Sequence, residues 1–297
     1  MLKDKLINLE NPVQCDILII GGDGLIGRAL MERFKAMGKS VRYTTRNKNT
    51  ITDCQIYLDM CESLEIDLVP SIVYFCAGIT ELSLCESTTL DSHKINVEAT
   101  LNLAYKFATS GARVVYLSSH AVFDGSFPYV PINCPVCPTT QYGVQKAKAE
   151  QGILALGERS TVVRLPKVVS CKSPLFAKWI ACLKLSQQIK PFSDLYLSPI
   201  SLSYLTNILA TKSLYGMVHL SGDLQLTYKE FALILAEKMD VSTDLVDATL
   251  TLEMGASILF KPLYTTLDMS DTASRFDIEP QTIYGVIEDL LNEFYLL

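Results

Sequence analysis

The apolar and polar positions of the chain alternate between short continuous apolar runs and longer amphipathic stretches. The first run, at residues 17–20, leads directly into glycines at positions 21, 24 and 27. An uninterrupted apolar run predicts a central strand of a parallel sheet, because helices cover both faces of such a strand. The three glycines predict a tight turn into a helix at about 25–37, whose positive end suits a pyrophosphate. A glycine turn that binds nothing is the alternative interpretation.

Four more apolar segments follow, and helical patterns separate them. The expected strands lie at residues 41–46, 56–60, 71–77 and 113–117. Strands that alternate with helices predict an α/β fold, in which a Rossmann-type, doubly wound parallel sheet carries a dinucleotide site. A long helix is expected at about 90–110, and another begins at Gln141.

The pattern changes beyond Pro166, where helical stretches dominate. They lie at about 173–186, 202–213, 227–238 and 281–294, with a short strand at about 217–221. Thr227 and Glu230 have the spacing of a capping box, which marks the start of one of these helices. We therefore expect a dinucleotide-binding domain at 1–166 and a smaller α/β substrate-binding region at 167–297, which can interleave with the first domain.

Composition narrows the class of protein. The 297 residues are 49% hydrophobic and 20% charged, which is an ordinary balance for a soluble globular chain. The net charge of −6, with no basic block, gives nucleic-acid binding no electrostatic support. No apolar run is long enough to cross a membrane or to act as a signal sequence, so we expect a cytoplasmic protein without a membrane partner.

The nine cysteines are odd in number and lie mostly in apolar segments, which favours buried reduced thiols over a disulfide framework. Cys134 and Cys137 have the spacing of a metal or redox pair. A zinc site needs two further ligands, however, and the three histidines are scattered along the chain. We therefore expect no metal.

The end of the second strand bears on the choice of coenzyme. In a dinucleotide fold this point faces the adenosine ribose, where an acid binds the 2′-OH of NAD and an arginine suits the 2′-phosphate of NADP. The segment 41–46 contains no acid and ends in Arg46. The sequence therefore favours NADPH, with NAD as the alternative and a solvated surface arginine as the interpretation without a ligand.

A tyrosine and a lysine point to proton transfer. Tyr142 and Lys146 are four residues apart, so their side chains lie on one face of the helix that begins at Gln141. An ammonium group near a phenol stabilises the phenolate and lowers the phenol pKa, which makes tyrosine a usable proton donor. A hydroxyl from Ser118 or Ser119, at the end of the fifth strand, can orient a substrate oxygen beside it. An exposed helical pair without a catalytic role is the alternative.

Together these features resemble a known family. G-x-x-G-x-x-G at 21–27, Ser118-Ser119, Val-Phe-Asp-Gly at 122–125, Tyr142-x-x-x-Lys146 and Glu150 are similar to the extended short-chain dehydrogenase/reductases. Within that family the sugar-nucleotide branch that includes dTDP-4-dehydrorhamnose reductase is the nearest. The resemblance implies an oxidoreductase of polysaccharide biosynthesis, an NAD(P)H-dependent reductase of a keto-sugar nucleotide, with a homodimer as one expected assembly. A nucleotide-sugar epimerase with bound NAD(P) and a non-catalytic, cofactor-binding regulatory subunit are the alternatives.

The resemblance also implies residue roles. Ser119, Tyr142 and Lys146 form the catalytic set, in which Tyr142 supplies the proton. The implied cofactor contacts are Gly21, Asp23, Gly24, Leu25, Ile26, Gly27, Arg46, Asp59, Met60, Cys76, Ala77, Gly78, Asn96, Ser118, Tyr142, Lys146, Leu165 and Lys167. The implied substrate contacts are Thr80, Ser119, His120, Val122, Phe123 and Lys167.

Some of these positions carry further implications. Asn96 is expected to help hold a water molecule on the catalytic lysine, and Ser118 is the substitute for Ser119. His120 stands where the family usually has an aspartate, and Leu165 to Val169 lack the tryptophan that the reductases carry there. These departures from the family pattern bear on which sugar is bound more than on the hydride-transfer chemistry.

Overall fold

A computed structural model of the chain describes residues 13–62, 66–253 and 258–296. In this part of the chain seven parallel strands form one sheet, in the order β10-β6-β5-β4-β1-β2-β3. The strands are β1 Val13–Ile20, β2 Val41–Thr45, β3 Gln55–Tyr57, β4 Leu68–Phe75, β5 Arg113–Ser119, β6 Ser160–Leu165, β7 Val168–Val169, β8 Tyr196–Leu197, β9 Ile200–Ser201, β10 Gly216–His219 and β11 Leu226–Thr227. The predicted doubly wound parallel sheet is confirmed.

Helices cover both faces of this sheet. They are α1 Leu25–Ala36, α2 Leu82–Ser87, α3 Thr89–His93, α4 Thr100–Thr109, α5 Gln141–Leu154, α6 Pro174–Lys184, α7 Leu202–Thr211, α8 Tyr228–Lys238, α9 Ser270–Phe276 and α10 Ile283–Tyr295. A π-helical segment, Lys94–Ala99, joins α3 to α4, and short 3₁₀ turns occur at Lys48–Thr50, His120–Val122, Gly157–Arg159 and Thr243–Leu245. Among the residues described, no helix combines the length and the apolar character needed to span a bilayer.

The first strand is central because both of its faces are apolar. Successive side chains of a strand point to opposite faces. Ile17 and Ile19 pack in one hydrophobic cluster with α1 and α7, whereas Leu18 and Ile20 pack in another with α4 and α5. All four side chains are at least nine-tenths buried. The uninterrupted apolar run thus serves two layers of helices at once.

Segments beyond Pro166 contribute to two parts of the structure. The helices α6, α8 and α10 share a separate hydrophobic cluster that includes Phe176, Trp179 and Phe231. By contrast, α7 packs against α1, and β10 pairs with β6 at the edge of the large sheet. Thr227 and Glu230 form the expected capping box at the start of α8.

Two local expectations differ from the structure. The third strand stops at Tyr57, because the chain turns at 58–62 and leaves the sheet. The helix expected at 90–110 widens into the π segment at Lys94–Ala99. That segment contains Asn96, whose side chain bonds to both the N–H and the C=O of Ile79. A π segment commonly marks a functional position, since the wider turn displaces the helix locally.

A buried ion pair joins the strands to α5. Glu150 accepts hydrogen bonds from Arg164 on β6 (Nη2 to Oε2, 2.7 Å), and both side chains are only 4% exposed. Glu150 also accepts from the Ser118 hydroxyl at 2.5 Å. Arg164 in turn donates to Nε2 of His219 at 3.3 Å, while Nδ1 of that ring donates to the Asp268 carbonyl at 3.1 Å. This pairing defines one neutral tautomer of the His219 ring.

We expect His219 to make stability depend on pH. Burial, with Arg164 beside the ring, lowers the pKa of His219 from 6.5 to about 4. Between these values the unfolded chain binds a proton that the folded protein does not, so stability falls as the pH falls through this window. One such histidine costs about 2 kcal/mol between pH 7 and pH 5. Urea unfolding at several pH values should show this loss in the parent protein and a smaller loss in His219→Asn or His219→Gln.

The control for this measurement is His93→Gln, which removes a histidine from α3 without touching the Arg164 network. The readout is the slope of stability against pH, so a uniform loss of stability in the variants does not affect it. Equal slopes for the parent and both His219 variants would contradict the assignment.

Candidate active site

The turn from β1 into α1 brings three strand ends together. Gly21 has φ +92°, and its N–H donates to the Thr44 hydroxyl at the end of β2 at 2.8 Å. A Cβ atom on Gly21 would lie 2.6 Å from the backbone nitrogen of Ala77, which follows β4. A Cβ on Gly27 would lie 2.2 Å from the Gly21 oxygen. Only glycine at positions 21 and 27 lets these backbone segments come so close. The unpaired N–H groups of the first turn of α1 then lie beside the edge of the sheet.

A cavity of about 320 Å³ lies at this edge. The carboxyl ends of β1, β2 and β4 border it, which is where open α/β sheets bind their ligands. Nine of the predicted cofactor residues line it: Gly21, Asp23, Gly24, Arg46, Asp59, Met60, Cys76, Ala77 and Gly78. Leu25, Ile26 and Gly27 lie next to it in the first turn of α1. The structure therefore brings the N-terminal half of the predicted cofactor set into one cavity.

Six further residues line the same cavity and were not predicted: Thr44, Thr45, Leu58, Cys61, Ile79 and Ile95. Thr44 and Thr45 directly precede Arg46, so their position follows from the end of β2. Ile79 and Ile95 meet there only because α3 and the π segment fold back over the loop after β4. No local sequence signal marks that contact.

The serine strand end and the tyrosine helix meet at the carboxyl end of β5, where the Ser119 hydroxyl neighbours Tyr142. α5 begins after Thr140, whose hydroxyl caps it by accepting the Gly143 N–H at 3.1 Å. Tyr142 and Lys146 share one face of α5, and the Lys146 nitrogen lies 5.7 Å from the centre of the Tyr142 ring. The same nitrogen donates to the Leu117 carbonyl at 2.8 Å and lies 4.6 Å from the centre of the Tyr116 ring. Lys146 is thus held between α5 and β5.

Burial controls the protonation of this pair. It raises the pKa of Tyr142 to about 12, although the neighbouring Ser119 hydroxyl, which can donate to the phenolate, acts in the opposite direction. It lowers the pKa of Lys146 to about 8, against the attraction of the Glu150 carboxylate. The expected lowering of the Tyr142 pKa by Lys146 is therefore not found. Desolvation dominates the shift, and the Lys146 ammonium bonds to the Leu117 carbonyl, so Tyr142 keeps its proton at neutral pH.

The two serines at the end of β5 face different surroundings. Ser119 caps the 3₁₀ turn His120–Val122, where its oxygen accepts the Ala121 N–H at 3.1 Å and its own hydrogen stays available. Ser118 is 5% exposed and donates its hydroxyl hydrogen to Glu150. Ser118 therefore cannot replace Ser119 beside Tyr142. Its side chain is engaged by Glu150, so the expected contact with the cofactor could be made only by the Ser118 backbone.

Asn96 braces the loop that lines the cavity. Its carbonyl oxygen accepts the Ile79 N–H at 2.8 Å, and its amide donates to the Ile79 carbonyl at 2.9 Å and to Gln145 at 2.7 Å. Both amide hydrogens are thus engaged. The amide hydrogens of Asn96 therefore cannot hold a lysine-bound water, and only a carbonyl oxygen of this residue could do so. In the structure, the Asn96 side chain ties the loop after β4 to α5.

His120 and Phe260 form an aromatic contact next to Ser119. Their ring centres are 5.6 Å apart, and burial lowers the pKa of His120 to about 4, with the charge of Lys167 acting in the same direction. His120 is therefore neutral at neutral pH and is no acid. Lys261, next to Phe260, is held by the Asp194 carboxylate and donates to Thr251 at 3.0 Å. Sequence reasoning missed Phe260, because it lies far along the chain and carries no motif.

The other residues predicted to contact the substrate differ in their exposure to solvent. Thr80 and Lys167 are exposed. Val122 and Phe123 have buried side chains that pack with Val130 and Leu267, so contact with a substrate is left to their backbone. Leu165 is also buried, and its carbonyl lies 3.4 Å from Nδ1 of His120.

This fold and this site define an extended short-chain dehydrogenase/reductase built on a Rossmann sheet. The model of the RmlD substrate binding domain family matches residues 15–296, and the chain belongs to that family.

Proteins with different names are similar to this chain. Methionine adenosyltransferase 2 subunit beta from Xenopus laevis is 28% identical over 240 residues, covering 75% of this chain and 72% of that protein. Spore coat polysaccharide biosynthesis protein SpsK from Bacillus subtilis (strain 168) is 25% identical over 256 residues, covering 84% and 88%. The crystal structure of dTDP-4-dehydrorhamnose reductase from Bacillus anthracis str. Ames in complex with NADP has a TM-score of 0.79 and 22% identity, covering 95% and 99%. That likeness confirms the fold.

Two glycine variants separate the structure of the turn from ligand binding. Gly24 has φ −72°, and a Cβ there would meet only the Gly21 oxygen, at 3.5 Å. Gly24→Ala should therefore keep the parental stability and weaken NADPH binding by about tenfold or more, because the methyl group occupies the space that a pyrophosphate needs. Gly27→Ala should instead lose about 1–3 kcal/mol of stability, because its Cβ collides with backbone.

Thermal unfolding and an NADPH titration on both variants check these outcomes. If Gly24→Ala binds NADPH as tightly as the parent protein, the glycine at this position serves the turn alone.

Proposed function

We propose that the protein is an NAD(P)H-dependent reductase of a keto-sugar nucleotide, similar to dTDP-4-dehydrorhamnose reductase. One observation carries the proposal. Ser119, Tyr142 and Lys146 lie together at the carboxyl end of β5, and Lys146 is near enough to Cys76, which lines the cavity at the glycine turn, for its charge to act on that thiol. Membership of the RmlD substrate binding domain family and the fold shared with an NADP-bound reductase support it. The name of the SpsK relative supports a role in polysaccharide biosynthesis.

The residues around the cavity fit a nicotinamide dinucleotide. The space at Gly24 is open, and the N–H groups of the first turn of α1 border it, as a pyrophosphate requires. Asp59 and Met60 would hold the adenine, and the Cys76–Gly78 loop would hold the nicotinamide ribose. Arg46 is exposed at the end of β2 and favours NADPH through the 2′-phosphate. The bound nicotinamide supplies the hydride for the carbonyl carbon.

The proton comes from Tyr142. Its high pKa keeps it protonated at neutral pH, and the oxygen of the reduced carbonyl takes that proton. Ser119 has a free hydroxyl hydrogen with which it donates to the same oxygen, since its own oxygen is occupied by Ala121. Lys146 stabilises the phenolate that remains, because a positive charge buried near it is weakly screened.

The substrate side favours an anionic ligand. Lys167 is exposed, and it forms no ion pair with any residue that the structure describes. Its ammonium suits the diphosphate of a nucleotide sugar. Thr80, His120 and the ring of Phe260 complete the proposed contacts around the sugar, with the region 167–297 as the substrate-binding part.

Tyr142→Phe tests the proposal. The variant keeps the ring and loses the proton donor, so turnover of 4-keto nucleotide sugars should fall by about 100-fold or more. NADPH binding should remain nearly parental. The measurement is the loss of nicotinamide absorbance, with a parallel binding titration and Tyr105→Phe as the control, because Tyr105 is an exposed tyrosine on α4. Full activity of Tyr142→Phe would remove the assignment.

A second candidate is a non-catalytic regulatory subunit. The observation that favours it is the similarity to methionine adenosyltransferase 2 subunit beta over 75% of the chain. Such a subunit would bind the dinucleotide, turn over no keto-sugar nucleotide, and form a stable complex with a methionine adenosyltransferase catalytic subunit in size-exclusion chromatography. Turnover by the parent protein without complex formation would exclude this candidate.

A further inference from the structure

The carboxylate of Asp23 lies at the end of β2, although Asp23 does not belong to that strand. Asp23 lies in the glycine turn between β1 and α1, and it is exposed. Its Oδ2 accepts a hydrogen bond of 2.6 Å from the hydroxyl of Thr45, the last residue of β2. The same hydroxyl oxygen accepts the Asn47 N–H at 3.0 Å. The carboxylate of Asp23 is therefore fixed beside the strand end.

This position decides coenzyme choice in dinucleotide folds. An acid at the end of the second strand accepts the adenosine 2′-OH of NAD, and a cation accommodates the 2′-phosphate of NADP. The segment 41–46 has no acid, yet the tertiary structure supplies one from another loop. Asp23 and Arg46 line the same cavity, and within the described residues the two form no ion pair with each other. Each charge is therefore available to a ligand.

Asp59, the other acid among the described residues that line the cavity, has a different partner. Asp59 accepts the Cys61 N–H with Oδ1 at 2.9 Å, beyond the end of β3. Thr45 donates only one hydrogen, so the Asp23 carboxylate keeps free lone pairs toward the cavity. Asp23, unlike Asp59, is anchored to Thr45, the residue that precedes Arg46.

We propose that Asp23 is a coenzyme-selecting residue that acts against Arg46. Its carboxylate accepts a hydrogen bond from the 2′-OH of NADH and repels the 2′-phosphate of NADPH, whereas Arg46 attracts that phosphate. The two charges largely offset each other, so the parent protein binds both coenzymes and Asp23 limits its preference for NADPH. The inference rests on the proposed function only in requiring that the cavity binds a nicotinamide dinucleotide.

The test is the ratio of the NADPH and NADH dissociation constants, measured on the full chain by calorimetric titration. Asp23→Asn removes the repulsion, so NADPH should gain about tenfold in affinity relative to NADH. Arg46→Ala should move the ratio by a similar factor toward NADH. Both shifts should shrink as salt is added, because these charges are exposed to solvent.

Asp16→Asn is the matched control. Asp16 is also exposed and also accepts one hydrogen bond, from the Ser40 N–H at 2.9 Å, but it lies before the core of β1 at the opposite edge of the sheet. The same loss of one charge there should leave the coenzyme ratio unchanged. Thr45→Val keeps both cavity charges but frees the carboxylate, so it should shift the ratio toward NADPH less than Asp23→Asn does.

The possible failures are distinguishable. If the parent protein binds neither coenzyme, the proposed function fails and this inference fails with it. If both coenzymes bind but Asp23→Asn and Asp16→Asn give the parental ratio, Asp23 has no selecting role and the reductase proposal stands.

Discussion

The site depends on the buried pair of Glu150 and Arg164. Glu150 lies one helical turn after Lys146 on α5, and Arg164 comes from β6. Both charges are almost fully removed from water, so each is tolerated only because the other is present. Loss of one partner would leave an uncompensated buried charge at a cost of about 3–5 kcal/mol. Since Ser118 donates to the same carboxylate, the pair also fixes the strand end that carries Ser119.

The same burial sets the chemistry of the neighbouring groups. A low-dielectric surrounding disfavours every charged form, so Tyr142 stays protonated and His120 stays neutral. Burial also lowers the pKa of Lys146, but the Glu150 carboxylate opposes that shift. The phenol is thus a proton reservoir with a cation nearby. Desolvation, which depends on tertiary packing, sets the pKa of Tyr142, and this is why the spacing of tyrosine and lysine alone did not predict it.

Local chemistry accounts for the features that the sequence could predict. The apolar run of β1, the glycine turn, the four-residue spacing of Tyr142 and Lys146, and the capping box at Thr227 each depend on neighbours in the chain. The missed features depend on contacts between distant segments. The Asp23 carboxylate meets Thr45 across two elements, and Ser118 is distinguished from Ser119 only by the position of Glu150. No period or motif encodes which of two adjacent hydroxyls faces a buried carboxylate.

The two halves of the site differ in how they are built. The coenzyme cavity uses residues from 21 to 95, taken from consecutive elements of one sheet, so its form follows from the Rossmann topology. The proposed substrate side instead joins His120 to Phe260, and the next residue, Lys261, pairs with Asp194, so this side combines segments that are far apart in the sequence. A fold does not by itself determine function, so the Rossmann topology accounts for the form of the cavity and not for a ligand beside His120.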